Sequence, residues 1–259
     1  MSDIPDDHPR AASLRLRERI ERHRETGLVA PAGPIAHGRG EAFDYLLGEA
    51  TPPCVEEDIR AAAALLLEAE RPVISVNGNA AALVPAELAE LGRAVPAPLE
   101  VNVFYGRTSD RERLIADHLK AHGAETVLGV EPTAKVPRLT SARGWVDREG
   151  IARADLVLVL LEDGDRTRAL LDWGKRVISV DLNPLSRTAR DATLNLCDNI
   201  VRAVPKLTQA VRALQGDPLA RRALIAGLDG RASTRRVLEF LAQRLLALAA
   251  DLGAPGGDA

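Results

Sequence analysis

Carboxylates, amides, hydroxyls and arginines gather just after two short apolar runs of this chain. Residues 156–161 are followed by Glu162, Asp163, Gly164, Asp165 and Arg166, and residues 176–180 by Asp181, Leu182, Asn183, Pro184, Leu185, Ser186, Arg187 and Thr188. In an open parallel sheet a ligand sits outside the carboxyl ends of the strands. Both clusters therefore point to a charged, phosphate-bearing ligand. Asp163 and Asp165 repel a phosphate unless a cation bridges them, which makes the pair candidate holders of Mg²⁺. Arg166 is then a direct phosphate partner. Either aspartate also suits the plain task of capping the following helix, and the two uses are compatible. Asp181 ends its run where it can accept from ribose hydroxyls or position a metal. Ser186, Arg187 and Thr188 offer hydroxyls, backbone donors and a guanidinium at a helix start, which suits an anion. An ordinary strand-to-helix connection with a capping serine would use the same residues.

Three weaker clusters accompany these. In the stretch AHGRGEAFD, residues 36–44, Arg39 stands between Gly38 and Gly40, with His37 and Glu41 as titratable neighbours. The glycines predict a loop that lets backbone approach a ligand. It is not a G-x-G-x-x-G, because Phe43 takes the last glycine's place, and no P-loop pattern occurs in the chain. Asn77, Gly78 and Asn79 follow another apolar run, 72–76, where amides can orient a carboxylate or simply turn the chain. Glu100 and Asn102 share one face of their strand by alternation, and a carboxylate there needs a cationic partner or a ligand. His118 and His122 are four apart on a predicted helix, but no acidic motif accompanies them, so they read as a solvated face rather than a metal pair.

The elements that position these groups follow from periodicity. Apolar runs at 72–76, 99–104, 126–130, 156–161, 176–180 and 193–197 predict strands. They alternate with helical patterns at 55–70, 85–93, 111–122 and 200–214, after a charged helix at 10–26 and a loop leading into a short helical piece around 41–47, and before another helix at 233–252. Strands alternating with helices predict an α/β fold with a mainly parallel sheet covered on both faces. The expected layout is an N-terminal helical and loop segment at 1–54 contributing to the active site, a nucleotide-binding core at 55–215 and a C-terminal helical segment at 216–259.

Composition narrows the function. Of 259 residues 46% are hydrophobic, enough for a substantial core, and a formal net charge of −3 argues against a general nucleic-acid binder. No apolar run reaches the roughly 20 residues of a membrane span. The start MSDIPDDHPR is acidic rather than signal-like, so a cytoplasmic protein is expected. Cys54 and Cys197 show no metal-ligand spacing.

The strings SLRLRERI, GPIAHGRGEAFDYLLGE, PVISVNGNAAALVP, LEVNVFY, ADLVLVLLEDGDRTRALL and VISVDLNPLSRTA run in order through residues 13–202. Together they resemble the archaeal-type 4-phosphopantoate–β-alanine ligases, also called phosphopantothenate synthetases. The resemblance implies a Rossmann-like fold and a homodimer acting in coenzyme A biosynthesis. The implied reaction joins 4-phosphopantoate and β-alanine, with ATP as co-substrate and Mg²⁺, giving 4′-phosphopantothenate, AMP and diphosphate through an acyl adenylate. It implies nucleotide contacts at Arg17, Arg39, Asp181, Leu182, Asn183, Ser186, Arg187, Thr188, Asn199 and Ile200. On that chemistry Arg39 and Arg187 are phosphate ligands, and His37, Glu41 or Glu100 is the base that takes a proton from the amine. Asn77, Asn79 and Asn102 are candidate substrate contacts, and Arg107 and Arg166 candidates for the substrate's own phosphate. The competing readings are a phosphotransferase acting on pantoate or a similar hydroxy acid, and a nucleotide-binding module without catalysis.

Overall fold

Three runs of branched aliphatic residues form the centre of the molecule in a computed structural model that describes residues 4–103, 109–140 and 144–253. In chain order, α1 (Ala11–Glu25), α2 (Gly33–Leu47) and α3 (Pro53–Leu67) precede β1 (Pro72–Val76). Then come α4 (Gly78–Leu83), α5 (Pro85–Ala94), β2 (Leu99–Val101), α6 (Ser109–Ala121) and β3 (Val127–Leu128). A short antiparallel ribbon of β4 (Ala134–Lys135) and β5 (Trp145–Val146) leads to β6 (Leu156–Leu160), α7 (Gly164–Asp172), β7 (Arg176–Val180), α8 (Arg187–Asp191) and β8 (Leu194–Leu196). The described chain ends with α9 (Ile200–Leu214), α10 (Pro218–Ala226) and α11 (Gly230–Gly253).

The six long-range strands are all parallel and lie in the order β3-β2-β1-β6-β7-β8. This is the doubly wound order, in which the chain works outward from β1 in one direction and later from β6 in the other. The α/β expectation holds. Both faces of the sheet are buried, which is why β6 reads as unbroken Val and Leu and the interiors of β1 and β7 are broken only by the buried serines Ser75 and Ser179. On one face Ile74, Leu158, Leu160, Ile178 and Val180 pack with α3, α4, α5 and α9. On the other, Val73, Val157, Val159 and Val177 meet Leu170 of α7 and Val136 and Val146 beside and within the ribbon. Ile20, Leu28, Val29 and Leu47 are buried in the first of these clusters, so the N-terminal helices share the sheet's core.

Two expectations need correcting. The glycine-rich stretch at 36–44 is the middle of α2, not a loop. Pro34 falls in the first turn, where a missing N–H costs nothing. Buried Leu47 and the side-chain ties described below outweigh the poor helix propensity of Gly38 and Gly40. His118 does not lie on a freely solvated face. Its ring is 4.9 Å from that of His23 on α1 and 4.3 Å from that of His122. Burial first, then the two neighbouring imidazoles, push His118 down to about 4. Among the described residues no group of three or more His, Cys, Asp or Glu side chains is arranged to hold a metal ion. None of the described helices is long and apolar enough to cross a membrane.

Candidate active site

The order of the strands reverses between β1 and β6, and a cleft of about 480 Å³ opens beyond their carboxyl ends. That is the switch point at which open α/β sheets bind ligands. Three strand ends supply its floor: Asn77, Gly78 and Asn79 after β1, Asn102 and Val103 after β2, and Leu161, Glu162 and Asp163 after β6. Leu182, beyond β7, and Asn199 and Ile200 at the start of α9 close one side. The first half of α2 lies along the cleft and presents Ile35, Ala36, His37, Arg39, Gly40 and Glu41.

Helical spacing explains what α2 contributes. His37 and Glu41 are four residues apart and so share a face. Glu41 accepts from Arg17 Nε of α1 at 2.7 Å and from the Tyr45 hydroxyl. Burial pushes its carboxyl up, but the Arg17 and Tyr45 hydrogen bonds outweigh that and hold it below the usual range. His37 is lowered, chiefly by burial and then by Arg17, against the opposing pull of Glu41 and Asp44. Its imidazole is therefore neutral near neutral pH, and its buried Nε2 has no hydrogen-bond partner. Arg39 is exposed on the cleft wall, and its charge draws down Asp181.

Other expected site residues turn out to have structural duties. The Asn77 amide is fully used: Oδ1 accepts from Ala80 N to cap α4, and Nδ2 donates to the carbonyls of Leu160 and Leu161 at 2.8 and 3.1 Å. It thereby ties the end of β1 to the end of β6. Leu161 itself sits at φ 50, the left-handed region. Such a residue away from glycine costs about 1 kcal/mol or more and marks a place where the fold imposes shape. Asn79 donates to Gly33 O at 2.9 Å and Asn102 to Trp145 O at 3.2 Å.

Glu100 faces away from the cleft and is fully buried, its two oxygens accepting from Asp147 N and Ile151 N at 2.8 and 2.6 Å. Burial raises it to about 7. The partner anticipated for this carboxylate is backbone, and no solvent path reaches it for base catalysis. Arg166 is likewise fully buried beneath β1, donating to Ser75 Oγ at 3.0 Å and to Glu162 Oε2 at 2.7 Å. It orders the cleft from below instead of meeting a substrate. Arg107 lies outside the described residues.

The two acidic and hydroxylic turns meet each other. Asp163 caps α7 through Arg166 N and, half-buried, also lines the cleft. Asp165 is instead paired with Arg187 at 2.8 Å on the outer surface, both side chains being exposed and neither lining the cleft. A Cβ at Gly164 would stand 2.4 Å from Arg187 Cβ, so only glycine lets the second turn close on the first. Thr188 Oγ1 adds a bond to Glu162 O at 2.9 Å. Asp181 accepts from Asn183 N at 2.9 Å and Ser186 Oγ at 2.5 Å, and Ser186 caps α8. Burial raises Asp181 above its ordinary value despite these bonds. Of this turn, Leu182 alone reaches the cleft.

Sequence reading missed two features. Arg111, in the first turn of α6, lines the cleft and donates through Nε to Gly27 O at 3.1 Å. Asp44, three residues beyond Glu41, is buried and bound to Arg202 at 2.5 Å and to Asn199 Nδ2 at 2.8 Å. Arg202 also pairs with Asp198 at 2.7 Å, and Asp198 accepts from Thr51 Oγ1 at 2.7 Å. The spacing of charges along one segment gave no sign of partners more than 150 residues apart.

Comparison with known proteins follows the geometry. Residues 54–244 match the family described as phosphopantothenate/pantothenate synthetase. A 4-phosphopantoate–beta-alanine ligase of Thermococcus onnurineus is 55% identical over 216 residues, covering 83% of this chain and 82% of the relative. Proteins of the same description from Methanospirillum hungatei and Methanosarcina mazei are 45% and 44% identical. They are aligned over 94% and 98% of this chain and 98% and 100% of their own lengths.

Proposed function

This chain belongs to the phosphopantothenate/pantothenate synthetase family, and from that premise we propose that it is an ATP-dependent ligase condensing 4-phosphopantoate with β-alanine. The products are 4′-phosphopantothenate, AMP and diphosphate, a step of coenzyme A biosynthesis. The observation that carries the reading is the identity of 44–55% with ligases of this description over most of the chain. The cleft at the β1–β6 switch point, lined by two guanidinium groups, a neutral imidazole and carboxylates, supports it.

A carboxylate is a poor acyl donor and has to be activated. The pantoate carboxylate oxygen attacks the α-phosphorus of ATP, the P–O bond to the β-phosphate breaks, and diphosphate leaves. The nucleotide lies on the side of Leu182, Asn199 and Ile200. Of its other expected contacts, Arg17 acts on the cleft through Glu41. Asp181, Asn183 and Ser186–Thr188 stand behind Leu182 without lining the cleft, so Arg187 would have to leave Asp165 to meet a phosphate. Arg39 supplies positive charge where phosphoryl oxygens become more negative. Mg²⁺ is held by one or two carboxylates plus the phosphates of its substrate, not by an all-protein cage. Asp163, on the cleft wall beside Glu162, fits that role, and Asp165, turned outward to Arg187, fits it less well. The ion's contribution is to offset phosphate charge.

In the second half-reaction β-alanine enters as an ammonium group with a pKa of roughly 10. It loses one proton to become a nucleophile and a second as the C–N bond forms, and AMP departs with the electron pair of the broken acyl–phosphate bond. Of the three candidate bases, His37 is the one with an available lone pair: Glu41 is tied to Arg17 and Tyr45, and Glu100 to backbone. His37 Nε2 therefore receives the second proton.

Incubating the protein with ATP, Mg²⁺, 4-phosphopantoate and β-alanine and separating the nucleotides is the test. Free AMP is expected only when both acid and amine are present, whereas diphosphate also forms without the amine, up to one equivalent per site. ADP as the product would make the protein a phosphotransferase and end this reading. A cytoplasmic homodimer belongs to the same proposal. Leu245, Leu246, Leu248 and Leu252, exposed along α11, supply apolar surface for a second copy. A sedimentation mass of one chain at micromolar concentration would remove the dimer from it.

A further inference from the structure

We propose that Arg111 is the anchor for the 4-phosphate of the acid substrate, at the end of the cleft away from the nucleotide; this rests on the ligase reading above. Two guanidinium groups are among the described residues of the cleft wall, Arg39 and Arg111. They belong to different regions of it. Arg39 belongs to the side of the second turn, where it acts on Asp181 and where the neighbouring Gly40 comes within 3.5 Å of Leu182 Cδ1 for an added Cβ. Arg111 belongs to the side formed by residues 27–33 and the turn after β1. Its Nε is bonded to Gly27 O, and the Leu28 carbonyl next along would lie 2.3 Å from a Cβ on Gly78.

The reaction dictates how the acid lies between them. Its carboxylate has to reach the α-phosphate of ATP, so it points to the nucleotide side. The 4-phosphate is at the opposite end of the same short molecule and points away, towards Leu28, Asn79, Leu83 and Arg111. A dianionic phosphate in a recess needs a cation, and a guanidinium matches its oxygens better than any other side chain. Arg166 is fully buried beneath the sheet and does not line the cleft, which takes it out of this role. The carboxylates of the cleft do not defeat the arrangement, because Glu41 is neutralised by Arg17 and Glu162 by Arg166, and the third, Asp163, is the one assigned to Mg²⁺. Placement in the first turn of a 13-residue helix, with Nε fixed on Gly27 O, holds the guanidinium at one position along the wall.

The test is steady-state kinetics of the full chain carrying Arg111→Met or Arg111→Lys, varying each substrate in turn. For Arg111→Met the KM for 4-phosphopantoate is expected to rise about 100-fold, the loss of a charge-assisted pair in a recess. For Arg111→Lys, which keeps the charge but not the fork, the rise is expected to be about 10-fold. KM for ATP and for β-alanine should stay within about threefold of wild type in both. An unchanged KM for 4-phosphopantoate overturns the assignment. So does a rise confined to β-alanine, which would make Arg111 the partner of the amino acid's carboxylate. Wild-type protein that makes no AMP from these substrates defeats the ligase reading itself, a different result from an active wild type beside unshifted variants. If Arg111→Met does not fold, Arg111→Lys alone decides by the same two KM values.

Discussion

Replacing His37 by Gln lowers the rate of amide formation by about 10²- to 10⁴-fold, the usual worth of a positioned general base. The first half-reaction is spared: diphosphate release in the absence of β-alanine, or exchange of labelled diphosphate into ATP, stays within a few-fold of wild type. The pH dependence separates this role from a merely structural one. With the free amine as nucleophile, kcat/KM for β-alanine rises with pH at a slope of about one on logarithmic axes until roughly pH 10. A neutral His37 adds a second proton dependence. Burial, reinforced by Arg17, holds its pKa below the ordinary value. The imidazole is therefore the active base at neutral pH, and the wild-type slope steepens to about two only on the acid side of the ordinary imidazole range. In His37→Gln the slope remains near one throughout. A variant that forms amide at wild-type rate, or keeps the steep acid limb, would show that another group takes the proton.

Stability should move the other way. His37 Nε2 is buried without a partner, an arrangement that costs free energy in the folded state. Removing it is expected to leave the unfolding midpoint unchanged or slightly raised. A group retained at the expense of stability is one of the marks of a functional site, as is the left-handed Leu161 on the same cleft.

How far the sequence reveals these features depends on the range of the interactions that create them. PVISV, LVLVL and RVISV declare β1, β6 and β7 because a strand buried on both faces is dominated by apolar residues, Ser75 and Ser179 being the polar exceptions inside them. The acidic and hydroxylic turns after β6 and β7 are legible for the same reason: they begin where those runs stop. Only the end of α2, around 41–47, is legible; its first half is hidden, since Gly33, Pro34, Gly38 and Gly40 all speak for a loop when only near neighbours are weighed. The helix is decided by contacts from elsewhere, with Glu41 on Arg17, Asp44 on Arg202 and the Gly33 carbonyl on Asn79. The ribbon of β4 and β5 has two residues in each strand, too short for any periodicity. Strand-end chemistry also overstates itself: Asn77, Glu100 and Arg166 have the residue types of a binding site, yet the Asn77 amide and the Glu100 carboxylate are taken up by the protein itself, mostly by backbone, and Arg166 is sealed under the sheet with Nη1 on Ser75 and Glu162.

The three ties on α2 lead to the largest expected effect on folding. Asp44 is buried and meets Arg202 through both oxygens, while Asn199 Nδ2 bonds to one of them. Asp198, fully buried on the other side of Arg202, is already raised by burial and depends on that guanidinium to remain ionised. Asp44→Ala removes one anion from a network of two anions and one cation, and also the acceptor of the Asn199 amide. Breaking a buried pair from one side costs about 3 kcal/mol or more, which equilibrium urea unfolding will read as a lower midpoint at unchanged m. Asp44→Asn keeps the shape and one acceptor oxygen and should recover part of that loss. Function is expected to fall beyond what stability alone explains, because Asp44 lies three residues from Glu41 and seven from His37 on the same helix. With the tie to α9 gone, α2 is free to shift relative to Asn199 and Ile200, so the base and the nucleotide side lose their register. At a temperature where Asp44→Ala is still more than 95% folded by its own unfolding curve, KM for ATP should rise about 10-fold and kcat fall by a similar factor, since a displacement of about 1 Å is enough. A cost below about 1 kcal/mol, or full activity in the folded fraction, would mean that α2 is set in place by its apolar face and by Arg17 alone.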